Sequence, residues 1–186
     1  MGQEEIVWER INCASPVSLV IRPDVPDERF VDGLLDRLAP QIRESGIAVI
    51  RFSCAGYTRP MDFWLSLFDR VVHLCEPLID ADFQDDLEDS KANVKKAVGT
   101  NQVYLGIKGT LELVPESGEK ALLVLEDFES VFGFLSLAEL AAFRSFTDDV
   151  TVMTVSSVFL AEKGDELYHN AYFCNQFKTV DFTKES

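Results

Sequence analysis

The sequence predicts an α/β fold: a three-layer sandwich in which a mainly parallel five-stranded sheet carries helices on both faces, with an inserted β-hairpin. Three observations predict it. Short aliphatic and β-branched runs recur along the chain, as strands buried on both faces do. Between them lie stretches with apolar residues every three or four positions, the helical period. The chain has 186 residues, 47% of them apolar and 11% aromatic, enough to fill one core and to place 1–186 in a single domain.

The first run, Val17 to Ile21 (V-S-L-V-I), is bounded by Pro16 and Pro23 and reads as a core strand. Phe30, Leu34, Leu38 and Ile42 then recur every four residues, with Val31 and Leu35 beside them, as one helical stripe to about Glu44, with Pro40 expected to kink it. Gly46 stops that helix, and Ile47 to Phe52 (I-A-V-I-R-F) forms the second strand of a βαβ unit. After Pro60, with Thr58 as its cap, Met61, Trp64, Leu65, Phe68, Val71, Val72 and Cys75 share one face of an aromatic helix.

Residues 80–100 read as an acidic-then-basic insertion, a solvated loop or helix start. Asp80, Asp82, Asp85, Asp86, Glu88 and Asp89 precede Lys91, Lys95 and Lys96, which suit a helix C-terminus. At 102–114, Val103, Leu105 and Ile107 alternate before Lys108-Gly109, and Leu111 and Leu113 after it, which predicts the inserted hairpin. Ala121 to Leu125 is the most apolar strand, with Glu126-Asp127 at its carboxyl end. Ser136 and Glu139 form a capping box for a helix carrying Leu137, Leu140, Ala141 and Phe143. Val150 to Val155, ending at Ser156-Ser157, and Thr179 to Phe182 complete the sheet.

Charge and cysteine usage bound the function. Seventeen basic against 32 acidic residues leave a net charge of −15, and no window supplies a basic stripe, so direct binding to nucleic acid or an anionic membrane is not expected. Cys13, Cys54, Cys75 and Cys174 lie far apart without metal-ligand spacing, as free thiols of a reducing cytosol do. The acidic start, Met1 to Glu5, does not read as a signal peptide, and no apolar run approaches the roughly 20 residues of a membrane span, so a cytoplasmic protein is expected.

In an open parallel sheet, ligands bind outside the carboxyl ends of the strands. Taken together, Val17 to Phe52, Tyr57 to Val72, Gln102 to Phe128 and Val150 to Phe182 follow an order of elements that resembles the ATPase core of the AAA+/STAND class of P-loop NTPases. The likeness is strongest to archaeal and bacterial ATPases related to origin-recognition proteins, and it covers most of the chain by order and pattern. It implies a phosphate loop after the first strand, a Walker B strand with its acids, and a sensor strand ending in small polar residues. ATP and Mg²⁺ are the cofactors of such a core.

The phosphate-loop position departs from that pattern. Where G-x-x-x-x-G-K-[ST] would fall stand Pro23-Asp24-Val25-Pro26-Asp27-Glu28-Arg29-Phe30. The prolines remove N–H donors, Glu28 takes a glycine slot, Phe30 replaces the Mg²⁺-binding hydroxyl, and only Arg29 keeps a positive charge near the lysine position. Asp24, Asp27 and Glu28 put three carboxylates at a helix N-terminus that would otherwise attract phosphate. Leu122 to Asp127 looks like a Walker B strand with its acids inverted. The resemblance gives Glu126 and Asp127 the metal-supporting and water-polarising roles, while adjacent acids at a strand end also read as solvated or turn-capping. Ser156 or Ser157 matches the sensor position, and strand-end serines also form turns.

The other constellations are weaker. His73 and His169 offer no metal spacing, so no metal site is expected. Cys54 and Cys174 read as structural cysteines, with a nucleophile as the other reading. Phe128, Phe132 and Phe134 read either as core or as an exposed partner surface. Only four residues follow Phe182, so no lid domain is expected within the chain. The sequence therefore points to a catalytically degenerate AAA+/STAND-like domain, a pseudo-ATPase without a cofactor, acting as a regulatory or adaptor protein on a protein partner with a basic surface. The alternative is a working ATPase with ATP and Mg²⁺ in a non-standard or partner-completed site.

Overall fold

A computed structural model describes residues 2–116, 120–142, 150–160, 162 and 177–184. Five strands, β1 (Val17–Val20), β2 (Ile47–Ser53), β3 (Lys120–Glu126), β4 (Val150–Ser156) and β5 (Lys178–Asp181), form one sheet in the order β2-β3-β4-β1-β5. Every pairing is parallel. The central strands are buried almost throughout, which their V-S-L-V, A-L-L-V-L and V-T-V-M-T-V sequences require, whereas β2 and β5 form half-buried edges.

Helices cover both faces. On one side α1 (Gln3–Asn12) and α2 (Asp27–Glu44) bury Val7, Ile11, Val31, Leu34, Leu38 and Ile42 against Leu19, Leu122, Val124, Met153 and Val180. The helix α1 has no counterpart in the sequence reading. It is held at its ends by the Gln3 side-chain amide, which donates to the Asp181 carbonyl, and by the Thr151 hydroxyl, which donates to the Ile11 carbonyl at 3.1 Å. The α2 stripe runs as its spacing predicts, continues through Pro40, and ends at Gly46, whose φ of 59° is the left-handed value that glycine accepts without strain.

On the opposite face lie α3 (Pro60–Cys75), α4 (Gln84–Lys95), α5 (Thr100–Glu116) and α6 (Leu137–Ala142). In α3, Phe63, Trp64, Leu67, Phe68, Val71 and Cys75 face inward, while Leu65 turns partly outward. Its N-terminal flank is Arg59 in extended conformation with proline at the first helical position, and Thr58 is not the cap. The acidic-then-basic stretch contains a 3₁₀ turn, Ala81–Phe83, and α4, whose acids fill the first turn and whose Lys95 lies in the last. The capping box before α6 is present. Ser136 N donates to Glu139 Oε2 at 2.9 Å and Glu139 N donates to Ser136 Oγ at 3.3 Å. Phe143 of that predicted helix falls outside the described residues.

The hairpin expected at 102–114 is a helix. Val103, Ile107 and Leu111 satisfy helical as well as alternating spacing, Val114 fits only the helix, and all four are buried in α5. Lys108-Gly109 makes no hairpin turn: it lies inside α5, and among the described residues the glycines at positive φ are Gly46 and Gly56. Instead Lys108 pairs with Glu112 one helical turn on, at 3.5 Å.

Candidate functional site at the strand ends

Period-two alternation sets the site. Ile47 and Val49 of β2 and Leu122 and Val124 of β3 point to the α2 side, so Arg51 and Glu126, next in each series, emerge there together. Arg51 Nε donates to Glu126 Oε1 at 2.8 Å and Nη2 to Oε2 at 3.1 Å, while Nη1 reaches Asp32 on α2. Glu126 is only 7% exposed, against 26% for Arg51. The hydrogen bonds to Glu126, followed by those to Asp32, raise the guanidinium's proton affinity further against the opposing effect of burial. Glu126 is therefore a buried carboxylate engaged by arginine, an arrangement that none of the expected roles of metal support, solvated acid or turn cap includes.

Asp127 leaves the strand in a left-handed conformation, φ 52°. Its N–H donates to Asp27 Oδ2 at 2.7 Å, and its own Oδ2 accepts from Ser53 Oγ at 2.8 Å. Asp27, the first residue of α2, is pushed up to about 6, chiefly by burial; the Asp127 N–H opposes this, and the nearby charges of Asp127, Glu129 and Glu126 add to it.

The segment before α2 closes into a turn in which Val25 N donates to the Arg22 carbonyl at 3.1 Å. Arg22 grips Asp24 with Nε at 3.0 Å and Nη2 at 2.6 Å, which holds that carboxyl below its usual range. Pro23, Glu28 and Arg29 are exposed, and Phe30 packs edge to face on Phe182 with ring centroids 5.0 Å apart. The two serines at the end of β4 are engaged locally. Ser156 Oγ donates to the Val158 carbonyl at 2.7 Å, and Ser157 donates through N and Oγ to Glu129 Oε1 at 3.2 and 2.7 Å.

The strand ends thus gather Asp27, Glu126, Asp127 and Glu129, joined by Arg51, Ser53 and Ser157. A pocket of about 410 Å³ opens beside them, lined by Glu28, Arg51, Phe52, Ser53, Arg70, Glu126 and Asp127. The sequence reading missed Arg51, whose signal was present: a cation inside the strand I-A-V-I-R-F needs a counter-charge on the same face. Among the described residues, no group of three or more His, Cys, Asp or Glu is placed to hold a metal ion, and no helix is long and apolar enough to cross a membrane.

Phe128 and Phe132 are buried and Phe134 packs against the same core, so this cluster belongs to the interior. Cys54 is fully buried, and burial drives its thiol well above the ordinary range, the environment of a structural cysteine. His73 is exposed on α3, and His169 and Cys174 lie outside the described residues.

No protein-family model and no curated protein matches the chain. Solved structures do. The Aeropyrum pernix ORC1 protein in complex with DNA superposes at a TM-score of 0.66 with 11% identity, covering 99% of this chain and 45% of that one. The chain has the fold of the AAA+ P-loop ATPase core. The A. pernix ORC2 protein in its ADPNP–ADP complexes gives a TM-score of 0.64 at 11% identity, with 99% and 46% covered. The Walker-type ATPase paby2304 of Pyrococcus abyssi gives 0.59 at 12%, with 99% and 53% covered. At such identities the likeness is one of fold. The chain spans about half the length of these proteins.

Proposed function

We propose that this is a catalytically degenerate AAA+-like domain that serves as a regulatory or adaptor module through protein contacts. The observation that carries the reading is the engaged state of the strand-end acids and serines that an ATPase core would turn toward Mg-nucleotide, with Arg29 left exposed. The turn before α2 contains two prolines and an internal Arg22–Asp24 ion pair, and Asp27 stands at the helix start bound to Asp127 N–H. Glu126 is held by Arg51 from two nitrogens. A polyphosphate brought here would meet Asp27, Asp127 and Glu129, where each like-charge pair at about 4 Å costs roughly 1 kcal/mol in water and several times more when sheltered. This donor set does not fit a phosphate cradle, which needs inward N–H groups and a hydroxyl beside its cation, where Phe30 stands instead. With a net charge of −15, the partner that suits this module is a protein with a basic surface rather than nucleic acid.

Titration with Mg-ATP and a fluorescent ATP analogue tests the reading. The expected result is no saturable binding up to about 1 mM nucleotide; micromolar binding that depends on Arg29 or Glu126 would overturn it.

The pocket lined by Arg51, Ser53, Arg70, Glu126 and Asp127 favours a second reading, a nucleotide site completed by a partner's loop. In that case ATP turnover appears only when the partner is added, and is lost in Glu126→Gln with Asp127→Asn.

A further inference from the structure

The face opposite α2 carries a groove that plays no part in the strand-end site. It is about 500 Å³ in volume and runs between α4 and α5. One wall is the stripe Asp86, Asp89, Asn93 and Lys96, and the other is Leu105, Gly106 and Gly109, both at helical spacing.

Gly106 has an internal explanation. A Cβ there would stand 2.3 Å from Val94 Cγ2, so the glycine lets the two helices approach, and Ser90 Oγ donates to its carbonyl at 3.1 Å. Gly109 has none: a Cβ there meets nothing within 4 Å, yet the residue lies inside a helix, where glycine is the poorest former after proline. Beside it Leu105 is 54% exposed, and Val98, in the connection between the helices, is 91% exposed. These are the two most exposed large apolar side chains among the described residues. Asp86 and Asp89 make no ion pair among the described residues.

The geometry points to a docking groove for one basic amphipathic helix of a partner protein, its apolar ridge set over Leu105 and the Gly109 depression and its lysines or arginines against Asp86 and Asp89. The inference rests on the adaptor reading above and names the partner's chemistry. Two parallel stripes at helical spacing receive a third helix as ridges enter a groove. The charge selects the occupant. A second copy of this chain, at −15, is repelled, as is a phosphate backbone, whereas a cationic helix is attracted. The wall is also polarised, with acids at the Gly109 end and Lys96 at the other, so the helix docks in one direction, with its basic half over the acids.

The test uses the full chain and a labelled Lys/Leu/Ala peptide of about 18 residues, long enough to form a helix, with its lysines in one half. Fluorescence anisotropy at physiological salt should give a dissociation constant on the order of 10 µM. Leu105→Glu, Gly109→Phe and the pair Asp86→Lys with Asp89→Lys should each weaken it at least about tenfold. The charge reversals Asp36→Lys and Glu44→Lys, on the remote face of α2, should change it less than about twofold. Leu105 is exposed, so its variant keeps the fold, and thermal melting checks the others.

No saturable binding below about 1 mM peptide overturns the proposal. Equal losses from the α2 reversals overturn it as well, since that is general charge attraction. Duplex DNA binding that is lost in Leu105→Glu and Gly109→Phe also overturns it, in favour of nucleic acid. Mg-ATP titration of the same samples separates the two levels. A silent groove with no nucleotide bound removes the groove alone, and nucleotide bound beside an occupied groove removes the degenerate-ATPase reading alone.

Discussion

The Arg51 guanidinium spans both carboxylate oxygens of Glu126, at 2.8 and 3.1 Å, and so ties the edge strand β2 to β3 at the mouth of the sheet. With the glutamate 7% exposed, removal of either partner leaves a charge that water reaches poorly. Glu126→Ala is expected to cost about 2–3 kcal/mol and Arg51→Met about as much, less than a fully buried pair because Arg51 keeps Asp32 and some solvent. Arg51→Met with Glu126→Met should return to within about 1 kcal/mol of the parent, since two apolar groups replace a desolvated pair. Urea unfolding of the four proteins measures the coupling.

Asp27 gives a pH dependence of opposite sign to that of an ordinary salt-bridged acid. Its carboxyl goes from about 3.8 in the unfolded chain to about 6 in the folded one, so between these values the folded state holds the extra proton. Its contribution to stability therefore falls as pH rises from about 4 to about 6, and is restored on acidification. Asp27→Asn keeps an acceptor for the Asp127 N–H and removes the charge. It should stabilise the protein by about 1–2 kcal/mol at pH 8 and flatten its profile in that window, as urea midpoints at successive pH values will read.

Two glycines three residues apart on α5 should respond in opposite directions to the same change. Gly109→Ala enters open space and is expected to raise stability by about 0.5–1 kcal/mol through helix propensity. Gly106→Ala drives a methyl against Val94, a stiff β-branched side chain in the core, and should cost about 1–3 kcal/mol. Thermal melts of the two variants decide this directly.

The thiols should divide by burial. Cys13 is exposed, whereas burial pushes Cys75 up to about 12 and Cys54 well above its ordinary range. In a Cys174→Ser background, a disulfide reagent at pH 8 should modify Cys13 at once and reach Cys54 and Cys75 only after denaturant is added.

The strands were legible because each is a compact apolar run that no helix of that length could use, and their bounds shift by a residue or so in the structure. The α5 segment was not, because Val103, Ile107 and Leu111 fit both periods and Lys108-Gly109 imitates a turn; the packing of α4 and α3 against it decides the outcome. At the strand ends the residue types were readable, with Glu126-Asp127 at the carboxyl end of the most apolar run. Their engagement was not readable, since it depends on which residues of separate strands share a face and a level. Arg51 meets Glu126 only through the register that pairs Ser53 with Glu126.

The position of β1 between β4 and β5 bears on how the chain acquires its structure. Val17 pairs with Met153 on one side and Lys178 on the other, so β1 waits for two strands that come much later in the chain. Until then its V-S-L-V run has both ladder edges unpaired, and closing the sheet requires contacts between segments far apart in sequence, a topology that folds slowly and exposes aggregation-prone edges. The half built from β2, α3 and β3 can form locally, whereas the half holding β1 forms only once β4 and β5 have been made.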